Sequence, residues 1–110
     1  MKYKEFFKQK NCCFAPNQFG SIKEALGFCK QLEKLGCSNV DIQYHPDDDD
    51  DVAEERFADA VSFRLPKQPT KRLRVLSLVM ENHPSEISKN ERINTPIDWV
   101  KDQQVFLWWD

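Results

Sequence analysis

Residues 21–37, SIKEALGFCKQLEKLGC, carry the strongest structural signal in the chain. Ser21 is followed three residues later by Glu24, the pattern of a capping box at the start of a helix. Apolar residues then recur at spacings of three and four, which places them on one face of an amphipathic helix: Ile22, Leu26, Cys29, Leu32 and Leu35. Gly36 supplies a residue that tolerates the left-handed conformation found after many helices. The sequence therefore predicts a helix over residues 22–35.

Four further segments have the patterns of β-strands: residues 39–45, 57–66, 72–81 and 103–110. The first two alternate apolar and polar side chains, which is typical of a strand with one buried face. The third, RLRVLSLVME, is apolar on both sides and indicates a strand buried on both faces. In the last, QQVFLWWD, Val105, Leu107 and Trp109 point to one side of the strand while Phe106 and Trp108 point to the other.

The chain of 110 residues is long enough for one domain and too short for two. Residues 1–9 predict a short opening helix, Pro84 could start another, and residues 95–102 have the capping pattern of a third. The element order is thus α-α-β-β-β-α-β. We predict a single α+β domain over residues 1–110, with an antiparallel sheet of about four strands and helices mainly on one face.

Composition places the chain among cytoplasmic proteins. The longest apolar run, VFLWW, is far too short to span a membrane, and the N-terminus lacks the pattern of a signal peptide. Four cysteines, Cys12, Cys13, Cys29 and Cys37, match neither a zinc-binding pattern nor a disulfide scaffold, so we expect small buried side chains and no metal. A phosphate-binding loop needs closely spaced glycines, and the whole chain has only three. We therefore predict no phosphate-binding loop and no cofactor.

Charge is strongly divided along the chain although the net charge is only −2. Residues 41–59 hold nine acids and one base, and residues 64–74 hold five bases and no acid. Asp51 has the position of a helix N-cap, and an acidic, solvated surface is predicted for the four residues before it: Asp47, Asp48, Asp49 and Asp50. The bases are predicted to lie on a hairpin: Arg64, Lys67, Lys71, Arg72 and Arg74. Aromatic residues do not interleave with them, which disfavours nucleic acid as the partner.

Asp59, Glu81 and His83 are the candidate residues if the protein is an enzyme. Asp59 falls among apolar residues of the second predicted strand, where a charge must be paired or functional. Two carboxylates on neighbouring strands within this element order resemble the core of PD-(D/E)xK nucleases. This chain reads MEN where that family has an acid-x-lysine, so the lysine that activates water is missing. A metal-dependent or acid–base hydrolase is the alternative function.

The preferred interpretation is a non-enzymatic interaction module that acts as a homodimer and binds a protein or a small apolar ligand. The residues expected at its contact surface are the C-terminal aromatic ones: Trp99, Phe106, Trp108 and Trp109. Apolar residues on both sides of the predicted strands would leave one sheet face uncovered, which favours a homodimer through the sheet and the last strand. A further alternative is an acidic, immunity-like inhibitor that binds a basic partner through residues 47–55. No membrane contact is expected.

Overall fold

A computed structural model describes residues 1–44, 56–89 and 104–109 of the chain. Within these ranges lie three helices and six strands. The helices are α1 (Tyr3–Phe6), α2 (Ile22–Lys34) and α3 (Pro69–Glu81). The strands are β1 (Cys12–Phe14), β2 (Ser38–Ile42), β3 (Arg56–Ala58), β4 (Ala60–Arg64), β5 (Glu86–Lys89) and β6 (Gln104–Trp108). No helix in the described part is long and apolar enough to cross a membrane.

Four of these strands form one antiparallel sheet in the order β2-β4-β6-β5. β4 and β6 pair along their whole length, from Ala60 opposite Trp108 to Arg64 opposite Gln104. β1 and β3 form a separate two-stranded parallel sheet. The predicted α+β fold with a four-stranded antiparallel sheet is confirmed.

The sheet buries one face under the helices, as the alternation in the sequence predicts. The inward side chains of its two central strands are completely buried: Val61, Phe63, Val105 and Leu107. They belong to one core that also includes Phe28 and Leu32 of α2 and Val75 and Val79 of α3. Because successive residues of a strand point to opposite faces, the same register sends Phe106 and Trp108 to the outer face.

Helix α2 has the predicted termini. The side-chain oxygen of Ser21 accepts a hydrogen bond from the backbone N–H of Glu24 at 3.2 Å. The Glu24 carboxylate in turn accepts from the N–H of Gly20 at 2.7 Å, one residue earlier than a capping box requires. At the other end Gly36 has φ +97°, and the N–H of Cys37 donates to the carbonyl of Leu32. The N–H of Gly36 also donates to the carbonyl of Glu33, and the two hydrogen bonds together form a Schellman motif that turns the chain directly into β2.

The prediction of a strand over residues 72–81 is wrong, because these residues belong to α3. Pro69 fits the first turn of a helix, where its missing N–H costs nothing, and the segment is rich in leucine, arginine and lysine. Val75 and Val79, four residues apart, form its buried side. Apolar residues also occupy the exposed side, and they produced the two-sided pattern that imitates a buried strand. The basic residues of 64–74 consequently run from the end of β4 into the first half of α3, and the described residues contain no hairpin at this place.

Four smaller predictions have different outcomes. The segment after Pro84 contains strand β5 where a helix start was considered. The predicted strand over residues 57–66 is present but interrupted at Asp59, so that Ala58 is buried and Phe57 is 50% exposed. The helix predicted over residues 95–102 and the helix cap at Asp51 lie outside the described residues.

Replacing Gly36 by alanine should destabilise the fold, because an added Cβ would lie 2.9 Å from the Cβ of Pro66 on a backbone with positive φ. We expect a loss of about 1–3 kcal/mol in the free energy of unfolding, measured by urea denaturation. Gly27→Ala is the matched control. It lies within α2 with open space around it, so the change should be neutral or stabilise by up to about 1 kcal/mol. Equal effects of the two substitutions would contradict the assignment of Gly36 as the helix stop.

Candidate interaction surfaces

The two adjacent tryptophans described by the structure have different environments. Trp109 is only 3% exposed, and its ring packs edge-on against the rings of Phe14, Phe19 and Phe28 at centroid distances of 5.3–5.7 Å. Its indole N–H donates to the backbone carbonyl of Asn82 at 2.7 Å. Trp109 therefore belongs to the core, which leaves little of its surface for a partner.

Trp108 lies on the outer face of the sheet and is 38% exposed. The half-buried Phe106 lies two residues earlier on the same face, in register with Ser62 of β4. Ser62 is buried on this face, where its hydroxyl accepts a hydrogen bond from the side-chain amide of Gln43 at 2.8 Å. We name Phe106 and Trp108 the aromatic pair. Trp99, the fourth predicted contact residue, lies outside the described residues, as do Asp47, Asp48, Asp49 and Asp50.

The position of β6 limits how it could take part in a dimer. Both of its edges are paired, one with β4 and the other with β5. A backbone already hydrogen-bonded on both sides cannot add a strand from another molecule. A contact through β6 therefore has to use the side chains of the outer face.

A second apolar surface lies on α3. Leu73 is 62% exposed and Met80 is 54% exposed, and they are the two most exposed large hydrophobic side chains in the described ranges. Leu76, between them in sequence, is half-buried. These positions lie three and four residues apart and therefore follow one side of the helix. We name Leu73, Leu76 and Met80 the α3 stripe.

A groove of about 490 Å³ runs between α2 and α3 beside this stripe. Its apolar lining includes Leu35, the residue directly after α2, and Leu73 and Leu78 of α3. Charged groups stand among them, namely Lys34 on α2 and Arg74 and Glu81 on α3. This alternation of apolar and charged groups suits an amphipathic helix better than a fully enclosed small molecule.

A smaller, more polar cavity of about 440 Å³ lies between the N-terminus, the C-terminal part of α2 and β2. The buried Tyr3 donates its phenolic O–H to the carboxylate of Glu33, and the ammonium of Lys4 lies 3.9 Å from the same carboxylate. Burial, reinforced by this hydrogen bond, raises the pKa of Tyr3 well above its ordinary value. The arrangement fastens α1 to α2.

The candidate catalytic residues do not form a common metal-binding group. Asp59 lies between β3 and β4, and its backbone carbonyl accepts a hydrogen bond from the N–H of Trp109 at 2.9 Å. Glu81 is the exposed last residue of α3, not a strand residue, so the nuclease-like placement of two carboxylates on adjacent strands is absent. His83 is exposed, with φ +48°. Among the described residues, no three histidine, cysteine, aspartate or glutamate side chains are grouped to hold a metal ion.

The cysteines, all within the described ranges, form no disulfide with one another. Cys29 and Cys37 are buried in the core as predicted, whereas Cys12 and Cys13 are half-buried. Burial raises the pKa of Cys29 and of Cys37 to about 12, so both remain thiols at neutral pH.

The five predicted basic residues follow one another from sheet to helix. Arg64 ends β4, Lys67 lies in the connection, and the other three occupy the first half of α3. The Arg72 guanidinium donates to the carbonyl of Lys67 at 2.7 Å, which ties the connection to the helix.

A search of protein-family models, curated proteins and solved structures finds no match to this chain.

Sequence reasoning did not find the α3 stripe or the groove beside it. The signal was present in the two-sided apolar pattern of residues 72–81. Read with helical spacing, that pattern separates Val75 and Val79 from Leu73, Leu76 and Met80, one set on each side of a helix.

Substituting each of the adjacent tryptophans by alanine should separate their roles. Trp109→Ala removes a buried ring and an indole hydrogen bond, and we expect it to lower the free energy of unfolding by about 3–5 kcal/mol. Trp108→Ala removes a side chain that is more than one-third exposed, and we expect a loss of about 1 kcal/mol or less. Urea denaturation followed by circular dichroism measures both. Similar losses for the two variants would contradict the core and surface assignments.

Tyr3→Phe should reduce the dependence of stability on alkaline pH. Because the folded state raises the pKa of Tyr3, it holds the phenolic proton more tightly than the unfolded chain, whose tyrosine pKa is about 10. This contribution is complete below pH of about 10 and is lost as the pH rises above it. The variant should lose about 1 kcal/mol at neutral pH and show a flatter alkaline limb in urea denaturation. An alkaline limb identical to that of the unsubstituted protein would exclude the Tyr3–Glu33 contact as its source.

Proposed function

We propose that the protein is a non-enzymatic interaction module that acts in the cytoplasm as a homodimer and binds a protein partner, or a small apolar ligand, through exposed apolar surfaces. The observation that carries this proposal is the aromatic pair on the outer face of the central strand. Tryptophan and phenylalanine side chains dominate the binding energy of many protein interfaces, because they bury a large apolar area with few rotatable bonds.

The surroundings of the aromatic pair support a contact surface. Its neighbour across the sheet, Ser62, is small and already hydrogen-bonded to Gln43, so the pair stands beside a polar group that needs no further partner. β6 is held on both edges, which fixes the backbone that presents Phe106 and Trp108. A rigid platform of this kind loses little conformational entropy when it binds.

The hydrolase alternative has less support. Asp59, Glu81 and His83 do not form a metal-binding group, and Glu81 ends a helix on the solvent side. The acidic-inhibitor alternative depends on residues 47–55, which lie outside the described residues. Among these alternatives, the interaction module is the one for which the described side chains form a candidate binding surface.

Site-specific photo-crosslinking in the native cells tests the proposal. A photo-reactive benzoylphenylalanine in place of Trp108 should crosslink to a defined protein, and the crosslinked species should be identified by mass spectrometry. The matched control carries the same group in place of Lys23, an exposed residue near the start of α2. We expect the crosslink at position 108 and not at position 23, and we expect Phe106→Ala to reduce its yield several-fold by removing the neighbouring contact. Equal crosslinking at both positions, or none at position 108, would contradict the aromatic pair as the contact surface.

A further inference from the structure

We propose that the α3 stripe is the homodimer surface, where α3 of one copy packs antiparallel against α3 of a second copy about a two-fold axis near Ser77. This inference rests on the homodimer in the proposed function and names the surface that forms it. The aromatic pair on the sheet then stays available for other partners.

The first argument is the apolar area that the described structure leaves exposed. Leu73 and Met80 are both more than half exposed, and they lie seven residues apart on one side of α3. An antiparallel second copy places Leu73 opposite Met80 of the partner subunit, and Met80 opposite Leu73 of the partner subunit. Each contact then occurs twice, as a two-fold symmetric interface requires.

The second argument is the small exposed residue between them. Ser77 is exposed and lies on the same side of the helix, midway between the two ends of the stripe. Small side chains allow two helix backbones to approach closely at the point where the helices cross. In the antiparallel arrangement Ser77 meets Ser77 of the partner subunit, while the longer apolar side chains pack on either side of that point.

The third argument is charge. α3 has no acid in its first turn and no base in its last turn, and its bases, including Arg74, precede the terminal Glu81. This order opposes the helix dipole, which favours acids at the N-terminus and bases at the C-terminus. An antiparallel neighbour corrects the mismatch, since it brings Glu81 of the partner subunit beside Arg74, and Arg74 of the partner subunit beside Glu81.

Arg74 and Glu81 lie on the same edge of the stripe, where both line the groove between α2 and α3. The two-fold axis places this edge of both helices on the same side of the helix pair. Because the helices run in opposite directions, Arg74 of one copy then lies beside Glu81 of the partner subunit, and the same contact occurs a second time by symmetry. Within one helix the two residues are separated by about 10 Å along the axis, two turns apart, and they cannot form this pair by themselves. The complementarity therefore selects a second copy of this chain over an unrelated helix.

Charge reversal with mixing provides the test. The unsubstituted protein should sediment as a dimer of the 13.0 kDa chain at micromolar concentration. Arg74→Glu and Glu81→Arg should each raise the dimer dissociation constant by about tenfold or more, because each places like charges in contact twice. An equimolar mixture of the two variants should recover the dimer, since both contacts then join opposite charges.

Loss of folding cannot explain the expected result for the single variants. Glu81→Arg places a base in the last turn, where the helix dipole favours it, and Arg74→Glu exchanges one exposed charged residue for another in the middle of α3, so both variants should stay folded. Circular dichroism and thermal unfolding of each variant check this expectation. Leu73→Ser with Met80→Ser should also give a folded monomer, whereas Trp108→Ser on the sheet face should remain dimeric.

The outcomes separate the two proposals. A monomeric unsubstituted protein at submillimolar concentration would overturn both the homodimer and its α3 surface. A dimer that persists in all α3 variants, or single variants that dissociate without recovery on mixing, would overturn the antiparallel α3 pairing. If such a dimer dissociates on Trp108→Ser, the homodimer stands and its surface is the sheet.

Discussion

Trp109 joins parts of the chain that are distant in sequence, and the rest of the fold depends on this junction. Its backbone N–H donates to Asp59, where the chain passes from β3 to β4, and its indole N–H donates to Asn82, just after α3. Its ring packs among aromatic residues of β1, of the turn before α2 and of α2 itself. The long loops closed by these contacts cost chain entropy, which burial of so large a side chain offsets. Sheet, helices and the N-terminal segment thus share one anchor.

Local patterns predicted the elements whose stability is local. The cap at Ser21 and the stop at Gly36 were readable in sequence, because each depends on residues within four positions. The buried face of α2 was predicted only in part: it contains Cys29 and Leu32 of the predicted stripe together with Ala25 and Phe28, whereas Ile22, Leu26 and Leu35 are half-buried. β6 was also readable, since one of its faces is buried and the other is not. The parallel pair β1 and β3 was not predicted: Cys12 and Arg56 pair across more than forty residues, and no periodicity encodes such a contact.

The error over residues 72–81 has the same origin as the candidate surface on α3. A helix with apolar residues on both its buried and its exposed side produces a sequence pattern that also fits a strand buried on both faces. The pattern alone therefore could not distinguish a helix from a strand over these residues. The structure decides by burying Val75 and Val79 together. Of the predicted contact residues, Phe106 and Trp108 lie on a surface and Trp109 lies in the core. The distinction follows from strand alternation, which places Trp109 on the same side of the strand as Val105 and Leu107.

The two apolar surfaces belong to elements with different freedom to bind. β6 lies between β4 and β5, so its backbone is hydrogen-bonded on both edges and it can contact a partner only through the side chains of its outer face, which include Phe106 and Trp108. The edge of β2 is partly occupied by the N-terminus, where Met1 and Ile42 exchange hydrogen bonds at 2.7 and 3.1 Å. Pairing at the edge limits the addition of a further strand there. The proposed association therefore uses side-chain packing, through the sheet face and through α3. α3 has no acid in its first turn and no base in its last turn, so an antiparallel neighbouring helix would complement its charges.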